Sequence, residues 1–475
     1  MADQSTEQAA AANDGNLPKV EPQRVAWGIV TLVLAVLVLR GASLGGGAVD
    51  ADEANFVKTL LEVKDRVETG YVRQIEPDVL RQAAIEGMLR LTTDDNTGYI
   101  PPAEAESFNN ALGGVYVGIG VNILAVNADD DAFTMQQPSG GIRVTRVLPK
   151  SPALDAGLKT GDILVSADGI DIRPLTVGEA QDYIMGPAGT DVTIGVERDG
   201  TDLTFDITRA SVESPVLEGI ARKDDGSPRF LIEAADVPAE VAFGSGELPR
   251  VAYVRLEQFT PNCTAKVANV LLTLEPLDGV LLDLRQNPGG QLTEAVGLAS
   301  LFLDDGKLVT FEDGRNAART LHRVGRPDDL PQWLTTVPLA LLVDGSSASA
   351  SEIVAGALSH HGRATLVGQD TFGKGSVQIP LPIGGPDGRF GFLRLTEAFY
   401  HLPDGRIVDR TGGVSSGVEV DVDVPLAEGE GSRPEQDGPI WPRQVWRAYE
   451  VLLVDLLQPT GRGDVVEPAV IQETL

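Results

Sequence analysis

Gly279-Val-Leu-Leu-Asp-Leu284 carries a single polar residue in six. A strand so apolar on both faces has to be covered on both, as happens in a parallel sheet with helices above and below it. The flanking sequence agrees with that constraint. Val251–Leu256 reads as a strand, Ala265–Leu274 as an amphipathic helix, and Thr293–Leu303 as a second helix. Val337–Val343 (strand), Ser349–His361 (helix) and Ala364–Gly368 (strand) continue the β-α-β alternation. Val377–Leu381 and Gly391–His401, closed by Pro403-Asp-Gly405, read as antiparallel, so the sheet content is mixed. Residues 426–442 are acidic and rich in Gly and Pro, a loop, and Arg443–Leu457 is a last helix.

A chain of 475 residues exceeds one ordinary domain, and the N-terminal half looks different from the core. Residues 1–24 are polar and Ala-rich, as in a disordered tail. Val25–Leu39 is free of charge and, extended to Ala48 with Arg40 snorkelling, reaches the roughly 20 residues of a membrane span. A cleaved signal segment is the rival reading. The long, barely basic front favours an anchor, and Lys19 and Arg24 before it against Asp50, Asp52 and Glu53 after it put the tail in the cytoplasm and the bulk of the chain outside. Residues 52–112 show apolar positions at helical spacing (Phe56, Leu60, Val63, Val67, then Val79, Ala83, Met88), predicting two or three helices. From Gly113 to about residue 211 short β runs take over: Val115–Val121, Ile142–Val147, Asp162–Ala167, Val192–Arg198 and Leu203–Thr208, with a hairpin turn at Asp199-Gly200 and a short helix over Val177–Met185. Residues 127–141 are an Asp-rich insertion. The α/β core then runs from 212 to 440 and the closing helix and tail from 441 to 475.

Composition removes several classes of function. Thirty-eight basic against 69 acidic residues give a net charge of −31, which argues against nucleic acid or anionic lipid as a partner. The one cysteine, Cys263, cannot form an intramolecular disulfide, and four histidines, two of them adjacent at His360 and His361, make a histidine-rich metal site improbable. We expect no metal and no cofactor.

The chemistry is concentrated between Ser349 and Gln378. Ser349 follows a strand and opens a helix, where free N–H groups and the positive end of the helix dipole gather. An oxyanion formed there could accept from the N–H of Ala350. Asp283-Leu-Arg-Gln-Asn-Pro-Gly-Gly290 runs from the buried strand into a Gly-Gly turn before a helix and offers the second donor, with Gly290 the first choice and Gly289 close behind. Lys374 sits between glycines in Phe372-Gly-Lys-Gly-Ser376 and could serve as base once desolvation favours its neutral amine. Gln378, four residues on, could hold that amine through its amide oxygen. Two mimics fail. His360 and His361 lie ~16 Å along the same helix from Ser349, and Gly368-x-x-x-x-Gly373-Lys374 lacks the Ser or Thr and the following helix of a phosphate-binding loop.

Ser151-Pro-Ala-Leu-Asp-Ala-Gly-Leu-Lys-Thr-Gly-Asp-Ile-Leu164 resembles a stretch of the PDZ domains found in proteases. The resemblance implies that Gly118, Ile119, Gly120 and Val121 offer N–H groups to a peptide's terminal carboxylate beside an edge strand. Ser347-Ala-Ser-Ala-Ser-Glu-Ile353, the 25-residue step from Ser349 to Lys374 and the four-residue step to Gln378 resemble the carboxyl-terminal processing peptidases, over roughly 55–426. That family implies a multidomain α/β protein: a helical N-terminal region, a PDZ β-domain and an α/β protease core with a mixed sheet. It implies Ser349 as nucleophile, Lys374 as general base, Gln378 as its orienter, and supporting roles for Arg255 and Glu352. Asp344 stands where the family often has Asn, and Ser346 where Gly is usual. The implied function is a serine endopeptidase that cuts protein or peptide substrates near unstructured carboxyl ends, membrane-anchored or exported, with a homo-oligomer left open. A PDZ adaptor that binds tails without cutting is the alternative.

Overall fold

The computed structural model describes residues 50–92, 96–125, 141–213, 215–223, 227–238, 248–315, 319–384, 390–409, 417–426 and 442–457. The polar tail, the apolar segment 25–48 and nearly all of the insertion 127–141 and the loop 426–442 lie outside these residues. No helix among the described residues is long and apolar enough to cross a membrane.

Residues up to Met88 form one unit. Helix α1 (Ala51–Gly70) starts where the Asp50 carboxylate accepts from the N–H groups of Asp52 and Glu53, and α2 is Pro77–Leu89. Neither helix buries a side chain, and Phe56, Val63 and Val79 stand exposed.

The second unit, from Leu89 on, contains the rest of the chain. After β1 (Gly98–Ile100) and α3 (Ala105–Leu112) comes the β domain, with β2 (Val115–Gly118), β3 (Val121–Ala125), β4 (Ile142–Val147), α4 (Pro152–Ala156), β5 (Ile163–Ala167), β6 (Ile170–Asp171), α5 (Val177–Ile184), β7 (Asp191–Arg198), β8 (Thr201–Thr208) and β9 (Ala210–Glu213). Its main sheet has the order β3-β4-β5-β7-β8, with β6 on β5, and β2 pairs with β9 outside it. The run Val115–Val121, expected as one strand, is two. The chain turns at Gly120, whose φ of 82° suits glycine, and a Cβ there would stand 2.3 Å from the Ser151 Cβ. The break leaves β3 at the sheet edge beside α5, with Ala180 and Ile184 of α5 buried in the same apolar cluster that Val121 and Ile123 pack against.

Three short strands, β10 (Leu217–Glu218), β11 (Ala221–Arg222) and β12 (Pro228–Arg229), lead into the core: β13 (Val251–Leu256), α6 (Cys263–Leu274), β14 (Gly279–Asp283), α7 (Leu292–Phe302), β15 (Leu308–Gly314), β16 (Thr320–Arg323), β17 (Leu339–Val343), α8 (Ala350–His360), β18 (Thr365–Gly368), β19 (Ser376–Gly384), β20 (Phe390–His401), β21 (Val422–Asp423) and α9 (Pro442–Leu457). The central sheet runs β10-β13-β14-β17-β18-β21, parallel throughout except for β10. Alternation along the strands builds both faces. Val254, Leu282 and Leu341 join one cluster with residues of α6, α7 and α8, while Tyr253, Leu281 and Leu342 join another with Val445, Tyr449 and Leu452 of α9. The apolar character of 279–284 is thus explained by helices on both sides. A separate antiparallel sheet has β20 flanked by β19 on one side and by β1 and β15 on the other, with β16 beyond β15. Strands β15 and β16 are mostly polar, which hid them from the apolar alternation. Cys263 is fully buried against Glu294, and burial pushes its thiol up to about 12.

Where β14 ends, a charged cluster is sealed inside. Arg285 and Asp283 are both fully buried and paired at 2.5 Å. The Tyr253 hydroxyl donates to Asp283 at 2.6 Å, Arg285 donates to Gln444 of α9 at 2.9 Å, and Gln444 donates to the Val424 carbonyl at 2.7 Å. Burial alone would raise the Asp283 carboxyl; the adjacent Arg285 guanidinium holds it below the ordinary range. Removing one member of such a pair strands the other's charge. Arg285→Ala should therefore lower the free energy of unfolding by about 3–5 kcal/mol, read from urea denaturation followed by tryptophan fluorescence.

Candidate active site

Ser349 sits at the step from β17 into α8, with φ 57° and ψ −114°. A non-glycine residue pays strain of about 1–3 kcal/mol for a conformation of this kind, so neighbouring structure must hold it. Several side chains do. The Asp344 carboxylate accepts from the N–H groups of Gln286 and Ser346, both at 3.0 Å. The Ser347 hydroxyl donates to the Leu284 carbonyl at 2.8 Å, and that of Ser351 to the Asn287 carbonyl at 2.9 Å. The Ala348 N–H donates to the same Asn287 carbonyl at 3.0 Å. The departures at Asp344 and Ser346 are therefore accommodated: the carboxylate oxygen accepts where an amide oxygen could, and the serine supplies only a main-chain N–H.

The Gly-Gly turn lies directly against the serine. Gly289 has φ 97° and Gly290 φ 146°. A Cβ on Gly289 would fall 2.8 Å from the Ser349 Cβ and 2.9 Å from the Ala350 nitrogen, and one on Gly290 would fall 2.3 Å from the Phe259 carbonyl oxygen. The N–H of Gly289 is committed to Asn287 Oδ1 at 2.9 Å, so of the two glycines Gly290 is the better placed to donate to a ligand. Asn287 itself donates to the Leu256 carbonyl at 2.8 Å and thereby ties the turn to β13.

Lys374 is brought in by Glu352. This carboxylate has no exposed surface, yet Oε2 accepts from the N–H of Ser349 at 2.8 Å and from the N–H of Lys374 at 2.9 Å. Its Oε1 accepts from the Thr371 hydroxyl at 2.6 Å and the Gly373 N–H at 2.7 Å. Burial raises the Glu352 carboxyl above its ordinary range, an effect these donors oppose. Thr371 accepts in turn from the Val418 N–H at 2.6 Å.

The other expected residues stand at different removes. Gln378, on β19, donates to the Thr396 hydroxyl at 3.1 Å, and the Thr396 N–H donates to Thr97. Arg255, at the end of β13, is buried beside Glu257 and reaches the Gln286 side chain at 3.4 Å. The loop Gly118–Val121 belongs to the β domain, which touches the core through Tyr116 donating to Gln258 at 3.2 Å and through an ion pair of Arg146 with Glu218. His361 lies at the far end of α8, bonded to the Leu308 carbonyl at 2.8 Å. Among the described residues no group of His, Cys, Asp and Glu could hold a metal ion. Sequence reasoning missed Asn287, Thr371 and Tyr400, whose phenol donates to the Lys374 carbonyl. Asn287 lies inside the quoted stretch Asp283–Gly290 and Thr371 directly before Phe372–Ser376; Tyr400, 26 residues after Lys374 on β20, gives no signal of its own.

A strained serine at a helix entry, packed against a Gly-Gly turn, is the arrangement of a serine hydrolase. Residues 250–424 match the peptidase family S41 model and residues 143–198 that of a PDZ domain. The carboxy-terminal-processing protease of Bartonella bacilliformis is 32% identical over 386 residues, covering 79% of this chain and 78% of that protein. The carboxyl-terminal-processing protease of Picosynechococcus sp. is 32% identical over 334 residues, covering 69% and 70%. Among solved structures, a photosystem II D1 C-terminal processing protease aligns over 88% of this chain and 96% of its own, at 23% identity and a TM-score of 0.46. The chain belongs to the carboxyl-terminal-processing protease family, serine-type peptidases of family S41 that carry a PDZ domain.

The packing at Gly289 leaves no room for a methyl group. Gly289→Ala should lower the melting temperature, because alanine at φ 97° clashes with main-chain atoms. It should in addition reduce peptidase activity per folded molecule by about 100-fold or more, since a displacement near 1 Å at reacting groups costs that much, measured well below the variant's melting temperature.

Proposed function

We propose that the protein is an endopeptidase that cleaves protein substrates at or near their carboxyl ends, with Ser349 as nucleophile and Lys374 as its general base. One observation carries the reading: the main-chain N–H groups of Ser349 and Lys374 donate to the same oxygen of a buried carboxylate, so residues 25 apart in sequence are fixed side by side. In this mechanism the neutral Lys374 amine takes the Ser349 proton as Oγ attacks the scissile carbonyl. The tetrahedral oxyanion accepts from the N–H groups of Gly290 and Ala350. Lys374 then returns the proton to the leaving amine, and water hydrolyses the acyl-enzyme by the same route. Gln378 would hold the amine in place, and Arg255 would support the turn that carries Gly290.

The PDZ domain would select the substrate, its loop Gly118–Val121 taking the terminal carboxylate while the peptide adds a strand to the edge of β3. Residues 25–48 would anchor the protein with its peptidase unit outside the cytoplasm.

A fluorogenic peptide with a free, flexible carboxyl end tests the reading. Wild type should cleave it, Ser349→Ala and Lys374→Ala should each lose about 1,000-fold or more, and amidating the peptide's terminus should raise KM far more than it lowers kcat. Cleavage by Ser349→Ala at the wild-type rate would refute the assignment, and tight binding by wild type with no cleavage would make the chain an adaptor.

A further inference from the structure

Lys374 is flanked by Gly373 and Gly375. Gly373 has φ 88°, and a Cβ on Gly375 would fall 2.3 Å from the Val408 carbonyl oxygen. Neither neighbour has a side chain with which to fix the peptide, so a base on such a loop needs its backbone held from outside. Glu352 holds one side, through the N–H groups of Gly373 and Lys374. The opposite side, the carbonyls, falls to Tyr400.

Tyr400 lies near the end of β20 and is 2% exposed. Its main-chain N–H donates to the Gly375 carbonyl at 2.9 Å, and its phenol donates to the Lys374 carbonyl. Burial first, and the Glu352 charge second, push the phenol well above its ordinary range, so it remains a donor across the working range of pH. Its one proton is directed at the Lys374 carbonyl.

We propose that Tyr400 is a positioning residue for the Ser349 and Lys374 pair: it anchors the two carbonyls of the glycine-flanked loop and so fixes where the lysine stands relative to the serine. The proposal rests on the reading of Ser349 and Lys374 as nucleophile and base. Tyr400 takes no proton in the reaction. It acts by holding the pair at bonding distance, which costs the substrate nothing in binding and shows only in the chemical step.

Tyr400→Phe removes the hydroxyl and keeps the ring that packs in the core. With the fluorogenic peptide, kcat per active site should fall roughly 10- to 100-fold with KM within about twofold of wild type. Active sites are counted by the end point of fluorophosphonate labelling of Ser349, so a partly unfolded sample does not distort the result, and the labelling rate should fall in parallel with kcat. Tyr449→Phe is the matched control, because Tyr449 is a buried tyrosine on α9 whose hydroxyl has no hydrogen-bond partner among the described residues; it should leave kcat and KM unchanged. The proposal is overturned if Tyr400→Phe turns over within twofold of wild type, or if it raises KM and leaves kcat alone, while Ser349→Ala and Lys374→Ala are inactive. Activity in those two alanine variants would instead remove the dyad itself, and the role of Tyr400 with it.

Discussion

A carboxylate shut away from water survives only if hydrogen-bond donors replace the solvent it has lost, and Glu352 has them from Ser349, Thr371, Gly373 and Lys374. Those donors come from two segments that follow the adjacent parallel strands β17 and β18, the entry of α8 and the loop before β19, and the carboxylate fixes how they meet. Each bond to a charged acceptor is worth more than a neutral one, and each donor left without its acceptor would be buried and unpaired. The carboxylate therefore works as a rivet. It also helps hold the serine at its positive φ, since the Ser349 N–H is bonded to the same carboxylate that fixes the Lys374 loop.

The sheet beneath supplies the rigid seat. Strands β14 and β17 are adjacent and parallel, with Asp283 opposite Leu342, so the turns that follow them emerge side by side at the same end of the sheet. Asn287 from one turn and Ala348, Ser349 and Ser351 from the other then interlock. On the opposite face the Asp283 and Arg285 pair fastens the first turn to α9. The site thus inherits its position from the strand order, and its orientation from buried polar contacts that sheet geometry alone would not specify.

Much of this was legible in the residues. The apolar run 279–284 predicts a buried parallel strand because period-two alternation puts both of its faces in a core, and it lies there. The small-residue run to Ser349, the Gly-Gly turn and the glycine-flanked lysine mark the candidate site because each asks for backbone geometry that larger residues would resist, and the fold brings the three together. What the sequence leaves dark is contact between strands distant in the chain. Thr396, which holds Gln378, and Tyr400, which holds the Lys374 loop, look like ordinary members of an alternating strand until β20 is laid against β19. Strand β15 buries Val309 and Phe311, but only three of its seven residues are apolar and β16 has one, so neither offers an alternation long enough to read.

The strained conformation of Ser349 has a consequence for anyone wishing to move the proposed serine and lysine pair to another scaffold. Copying the serine and the lysine onto a strand, a helix and a loop of suitable spacing would give a chain free to relax into an ordinary cap, with the hydroxyl turned away. The transplant becomes meaningful only when Asn287, Asp344, Glu352 and Thr371 travel with the pair, together with the close approach that Gly289 permits, since these are what make relaxation more costly than strain. The smallest portable unit is therefore a three-dimensional frame drawn from several segments, and no contiguous stretch of this sequence contains it.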